Sequence, residues 1–282
     1  MNKDDIYCFR LLKEGDRDRY LSVLFAPKKC RSALASLYAF NIEITRIAET
    51  VHQPMIGEIR LRWWRDAIDG EKAASGNPVL NALLAAIDRH GLPKAALLRY
   101  CDARVFDLYN DPMPDITALE GYCGETASTL LQLSCQILDS NAARLATDVS
   151  GHGGVAQALC GLLRSLPIIK ARGQCYFPSY MGDHSPNDFL VSTQISSETL
   201  QEKLLAPVIA LARQHYRKFY QDYRKLPDSL KPAFLSLAIV PEALGKIENK
   251  GKSAFDQCVN LSPLRRYFLI TKAAITGRMP PV

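Results

Sequence analysis

No apolar run in this 282-residue chain approaches the roughly 18 residues needed to cross a bilayer, so a membrane-spanning helix is excluded. The opening segment MNKDDIYCFR has neither the basic start nor the apolar stretch of a secretion signal, and a cytoplasmic location is the expectation. The eight cysteines include no pair at the close spacing of a zinc site and mostly fall within apolar segments, so buried, reduced thiols are expected. Histidine is scarce, and His52, His90, His152, His184 and His215 show no metal-like spacing; each reads as a lone surface or internally satisfied residue. No Ser-His-Asp set, Walker loop or dinucleotide glycine pattern occurs. Strand alternation, internal repeats and low-complexity segments are also missing. The net charge of +6 is modest, and no basic stripe is interleaved with exposed aromatics. Nucleic acid is therefore not an expected partner.

What is present is helical periodicity. From Pro27 to Val51, apolar residues recur at Leu34, Leu37, Tyr38, Ile44 and Ile47, the spacing of one helical face. A second helix is predicted from about Ile56 to Asp69, stopped by Gly70, and a third from Pro78 to His90, ending at Gly91. Pro93 opens a fourth that runs to about Asn110, and the segment Asp111 to Pro114 breaks the chain. Ile116 to Leu138 and His152 to Lys170 read as long apolar helices suited to the centre of a bundle, with Pro167 kinking or ending the second. Arg172 to Asn187 reads as a loop, and helices resume over Ser197–Arg224, Pro232–Ile247 and Pro263–Thr276. The proline breaks are too short for an interdomain linker, so one all-α domain over residues 1–282 is expected.

Several ordered blocks carry a resemblance. YLSVLFAPKKCRSALASLYAFNIEITRIAE from Tyr20, the stretch IGEIRLRWWRDAID, Tyr122-Cys123 with Ala127 and Ser128, GVAQALCGLLR at 154–164, and Cys175-Tyr-Phe-Pro178 stand in one order along the chain. In that order they resemble the squalene/phytoene synthase family. The resemblance implies an isoprenoid-synthase-type helical bundle around a central apolar cavity. Active members condense two prenyl diphosphates, using two aspartate-rich motifs with acids four apart. Residues i and i+4 share a helix face, so both carboxylates of a motif point at one magnesium cluster that holds the diphosphate.

The matching positions here lack those acids. The first motif falls on Thr45 or Arg46 and on Glu49, leaving one carboxylate; the second falls on Ser165 and Ile169, leaving none. The asparagine usual before the second motif is replaced by Gly161. A lone carboxylate holds Mg²⁺ poorly, so no metal site and no cofactor is expected. AFNIE at 39–43, IGEIRLRWW, AQALCGLLRSLP at 156–167 and KPAFLSLAIVPEALGKI at 231–247 resemble an aspartate-poor branch of the family, which includes the mitochondrial complex I assembly factor. The chain is identified as a relative of that branch. The resemblance implies a non-catalytic member with an isoprenoid lipid or a protein as partner, and a role in respiratory complex I assembly. The alternative is a prenyltransferase of the squalene or phytoene synthase type working through an altered site, with Mg²⁺ as its cofactor; a plain isoprenoid carrier is a third reading.

The ligand-binding candidates are Tyr38, Asn41, Glu49, Arg60, Trp64, Tyr122, Gln157, Arg164, Arg172 and Tyr176. Arg164 and Arg172, with Lys170, flank the vanished second motif and would suit an anion without a metal, or serve only as helix-end charges. Glu14 and Asp18 also stand four apart, but in a charged segment that reads as a solvated helix start. Trp63 and Trp64 point about 100° apart, so one is expected in the core and the other at a cavity or partner. Arg60, Arg62 and Arg65 around them could hold a phosphate or an anionic lipid headgroup, or form an exposed face paired with Glu58 and Asp66. Arg213, Arg217, Lys218, Arg224, Lys225, Arg265 and Arg266 are expected to favour peripheral contact with an anionic inner membrane, at about 1 kcal/mol per basic residue.

Overall fold

A computed structural model describes residues 2–51, 53–70, 76–178 and 204–282. All regular structure among them is helical: α1 (Lys3–Gly15), α2 (Arg17–Phe25), α3 (Lys28–Thr50), α4 (Pro54–Asp69), α5 (Pro78–His90), α6 (Lys94–Ala103), α7 (Ile116–Cys123), α8 (Thr129–Leu138), α9 (Thr147–Arg164), α10 (Leu166–Ala171), α11 (Ala206–Tyr223), α12 (Val240–Lys250) and α13 (Pro263–Thr276). No helix among these residues is long and apolar enough to cross a membrane.

Local sequence sets these boundaries. Asn2 and Asp5 form a reciprocal capping box on α1, and Asp16 ends that helix while its carboxylate caps α2. Gly70 and Gly91 stop α4 and α5 in the left-handed region, as the sequence predicts. Four predicted helices are divided. The fourth leaves α-geometry at Arg104 and continues as a 3₁₀ turn to Leu108. The segment from Ile116 to Leu138 is split by a π-turn at Gly124–Ser128. The chain breaks at Ser165, two residues before Pro167, because the ring cannot continue the backbone ladder. Lys231–Ile239 is a 3₁₀ stretch ahead of α12. Of the predicted loop and the next helix, residues 179–187 and 197–203 lie outside the described residues, as do His52 and His184.

Helix α3 is enclosed by the fold: every residue from Ala33 to Ile42 is buried. Ala33, Ala35, Ser36 and Ala39 make that enclosure possible, because small side chains let neighbours approach on all sides. α9 packs most extensively against α11, and also meets α8 and the π-turn. The closest approach falls at Gly154, where a Cβ would lie 2.2 Å from Ser128 Oγ and 2.4 Å from its Cα and N. Ser128 Oγ donates to the Gly151 carbonyl at 2.9 Å across the same contact. Seven cysteines are buried and Cys258 is exposed; none is in a disulfide. Burial pushes the thiols of Cys101, Cys123, Cys135 and Cys160 up to about 12, so they stay protonated.

Candidate functional site

α3, α9 and the segments after them surround a cavity of about 620 Å³. α3 contributes Asn41, Thr45, Ala48 and Glu49, which share one face at intervals of three and four. Tyr122 of α7, Thr126 and Ala127 of the π-turn, and Leu130 of α8 form a second wall; Gln157, Ala158, Gly161 and Arg164 of α9 form a third. Leu130, Leu162, Ile168, Ile169, Ile239 and Val240 supply apolar surface. The remainder is highly charged, with Arg17, Arg19, Arg104, Arg164, Arg172 and Arg266 beside Glu14, Asp16, Asp18, Glu49 and Asp107.

Four of those five carboxylates are already paired with an arginine. Asp16 meets Arg19 at 2.9 Å, Asp107 meets Arg104 at 3.0 Å, Asp18 meets Arg266 at 2.5 Å, and Glu49 meets Arg172 at 3.6 Å. Asp107 is the hub of the most buried set. Its carboxylate accepts from the Tyr122 hydroxyl at 2.6 Å and the Tyr176 hydroxyl at 2.9 Å, and its backbone carbonyl accepts from Gln174 at 2.6 Å. Arg104 also donates to Tyr122 at 2.8 Å and to Tyr100, whose hydroxyl donates in turn to Asn41 at 2.7 Å. Burial, with Asp107 adding to it, pushes the Tyr122 and Tyr176 phenols well above their usual value, so both stay protonated and donate. A second chain runs from Arg19 through Gln157 to Ser236. Arg19 Nε is buried without a hydrogen-bond partner among the described residues.

Of the predicted candidates, Asn41, Glu49, Tyr122, Gln157, Arg164, Arg172 and Tyr176 line this cavity, and so do Thr45, Ser165 and Ile169 from the two degenerate motifs. Tyr38, Trp64, Arg60 and Arg46 do not. Tyr38 is buried behind the wall, where it bonds Ser134 at 2.8 Å and lies under Arg19 at 5.3 Å. Trp64 packs edge-on against Phe40 in the core. Arg46 follows Thr45 by one residue and so turns about 100° away, into an outer groove that it shares with Arg60. Asp18 corrects the reading of a solvated helix start: it is buried by its pair with Arg266. The basic trio at the second motif is also engaged. Lys170 reaches Asp256, Arg172 reaches Glu49, and Arg164 bonds Asn260 and the Val259 carbonyl.

Sequence reading missed Arg104, Asp107 and Arg19. The available signal was an ionisable i, i+3 pair inside the apolar run RVFDLY. It also missed the meeting of His152 and His215, whose Nδ1 atoms lie 3.0 Å apart while His215 Nε2 lies 2.8 Å from Glu120. The separation of 63 positions between the two histidines hides that contact in the chain.

The residues at the two motif positions do not fit magnesium. Thr45, Ser165 and Ile169 offer no carboxylate, and Glu49 is held by a guanidinium. Among the described residues, no group of three or more His, Cys, Asp and Glu side chains is placed to hold a metal ion.

The family model for squalene/phytoene synthase matches residues 12–266. NADH dehydrogenase (ubiquinone) complex I, assembly factor 6 of Rattus norvegicus is 31% identical over 248 residues, covering 86% of this chain and 73% of the relative. Presqualene diphosphate synthase of Sinorhizobium fredii is 25% identical over 199 residues, covering 70% and 71%. Among solved structures, a dehydrosqualene synthase in complex with ligand superposes with a TM-score of 0.79 at 19% identity, covering 97% of this chain and 96% of that one. At that identity the superposition establishes the shared all-α fold.

Proposed function

The chain belongs to the squalene/phytoene synthase family, and from that premise we propose that it is a non-catalytic member that acts in respiratory complex I assembly. The observation that carries the loss of catalysis is the pairing of the cavity acids. Ionising a prenyl diphosphate calls for carboxylates that recruit Mg²⁺, and here Asp16, Asp18, Glu49 and Asp107 are each neutralised by an arginine. Four of the six wall arginines are used in those pairs, and the six exceed the five wall carboxylates by a single charge, so the balance leans toward an anion held by guanidinium groups such as Arg17 and Arg164 and away from a cation cluster. An isoprenoid lipid with an anionic head fits that combination of charge and apolar surface. The support for the assembly role is the similarity to complex I assembly factor 6 along most of the chain.

Deleting the gene from its own organism and resolving membrane complexes on native gels tests this role. The expected result is loss of mature complex I with accumulation of subcomplexes, restored by the wild-type chain. Normal complex I in the deletion strain would overturn the assembly reading.

A further inference from the structure

α7, α9 and α11 meet at a polar contact that the cavity does not use. His152 of α9 and His215 of α11 bring their Nδ1 atoms within 3.0 Å, with the rings tilted and their centroids 5.0 Å apart. His215 is 7% exposed and its Nε2 lies 2.8 Å from the Glu120 carboxylate of α7, while His152 is half-buried. The backbones are close here. Gly151, Gly153 and Gly154 flank His152, and a Cβ at Gly153 would lie 3.0 Å from the Phe219 ring, one turn after His215 on α11.

The contact has room for one proton between the rings. A carboxylate only accepts, so Glu120 fixes a proton on His215 Nε2. In the neutral pair the bare His215 Nδ1 therefore accepts from His152 Nδ1–H. A first added proton makes one imidazolium that still donates across the same gap. With both rings cationic, two N–H groups face each other at 3.0 Å and neither nitrogen can accept.

We propose that His152, His215 and Glu120 form an acid-sensitive clasp: protonation of both imidazoles breaks the ring contact and loosens α9 from α11 and α7. α9 carries Gln157, Gly161 and Arg164 in the cavity wall, and α7 carries Tyr122 two residues after Glu120, so the clasp bears on two walls. The charged groups that face the pair are Glu120 from α7, Asp148 from α9 itself, and Lys218 and Asp222 from α11. Of the other elements packed on α9, the π-turn turns its one acid, Glu125, to Arg99 and α8 carries no charged side chain. The 3₁₀ stretch at Lys231–Ile239 commits Lys231 to Asp228, and Arg144 ahead of α9 is exposed. Burial, then His215 and Lys218, hold His152 below its usual value of 6.5, against the pull of Asp148 and Asp222. The folded chain thus binds this proton less readily than the unfolded one. Its contribution to stability is whole above that usual value and is lost as pH falls below it.

Urea unfolding of the full chain between about pH 7.5 and about pH 5.5 tests this, with His152→Gln as the comparison. Glutamine keeps a neutral hydrogen-bonding side chain at a half-buried position. The wild-type unfolding constant should rise severalfold more across that interval than the variant's, so that the two stabilities converge in acid. Amide exchange, corrected for its intrinsic pH dependence, should quicken along α9 and α11 in the wild type while α5 stays protected. His90 is also held below its usual value by burial, so His90→Gln trims the overall slope and leaves the excess over His152→Gln in place. Ring-nitrogen resonances of the wild type decide the matter even where a variant folds poorly. His152 and His215 should titrate as one coupled pair in two separated steps. Independent single-step titrations of the two rings, or an equal pH slope in wild type and His152→Gln, overturn the inference. Both readings are made without ligand or respiratory complex, so their failure removes the clasp and leaves the assembly role standing.

Discussion

Replacing Asp107 with alanine is expected to lower the free energy of unfolding by about 3–5 kcal/mol, the range for removing one partner of a buried ion pair. The carboxylate is 6% exposed and satisfies Arg104, Tyr122 and Tyr176 together. Without it the guanidinium remains charged, desolvated and unpaired, and both phenols lose their acceptor. Asp107→Asn keeps the shape and one acceptor oxygen, and should fall between wild type and alanine. Arg104→Met/Asp107→Leu should be less destabilised than the sum of its single changes, because no orphaned charge is left behind. Denaturant melts of the wild type, Arg104→Met, Asp107→Leu and the double variant measure the coupling. A loss below about 1 kcal/mol for Asp107→Ala would mean that the network is solvent-screened, as a surface pair is.

The second large effect lies at Gly154. Alanine in the middle of a helix ordinarily gains about 1 kcal/mol over glycine. At position 154 the new methyl would collide with the backbone of Ser128, which cannot rotate away, so the α9–π-turn contact must open. Gly154→Ala should destabilise by about 1–3 kcal/mol, and larger side chains by more. Gly161 lies two turns along the same helix, and a Cβ there meets nothing within 4 Å. Gly161→Ala should therefore be neutral or gain up to about 1 kcal/mol. Thermal melts of the pair separate close packing from helix propensity; equal effects would remove the argument for a close approach.

These two sites also mark where the chain was and was not legible. Helices bounded by proline and glycine, such as α5 and α13, follow from local chemistry and were readable. The breaks at Arg104, Gly124 and Ser165 were partly hidden, since an apolar periodic run looks the same whether it continues as α, 3₁₀ or π. The cavity wall was readable where family blocks supplied positions, as for Asn41, Tyr122 and Tyr176. Its charge balance was not. Asp18 and Arg266 are 248 residues apart, and Asp107 and Tyr176 are 69 apart, so only the folded bundle brings them together. Arg46 shows the finer difficulty: one step along α3 from Thr45 carries it out of the cavity and onto the outer groove.

The central claim is that four of the five cavity acids are committed to arginines and that the cavity no longer recruits magnesium. Its most direct test is pyrophosphate release by the purified chain with farnesyl or geranylgeranyl diphosphate and Mg²⁺, run beside an active family member. The account predicts no release above the protein-free background, with or without chelator. Turnover that chelator abolishes would contradict it and place a working metal site in the cavity.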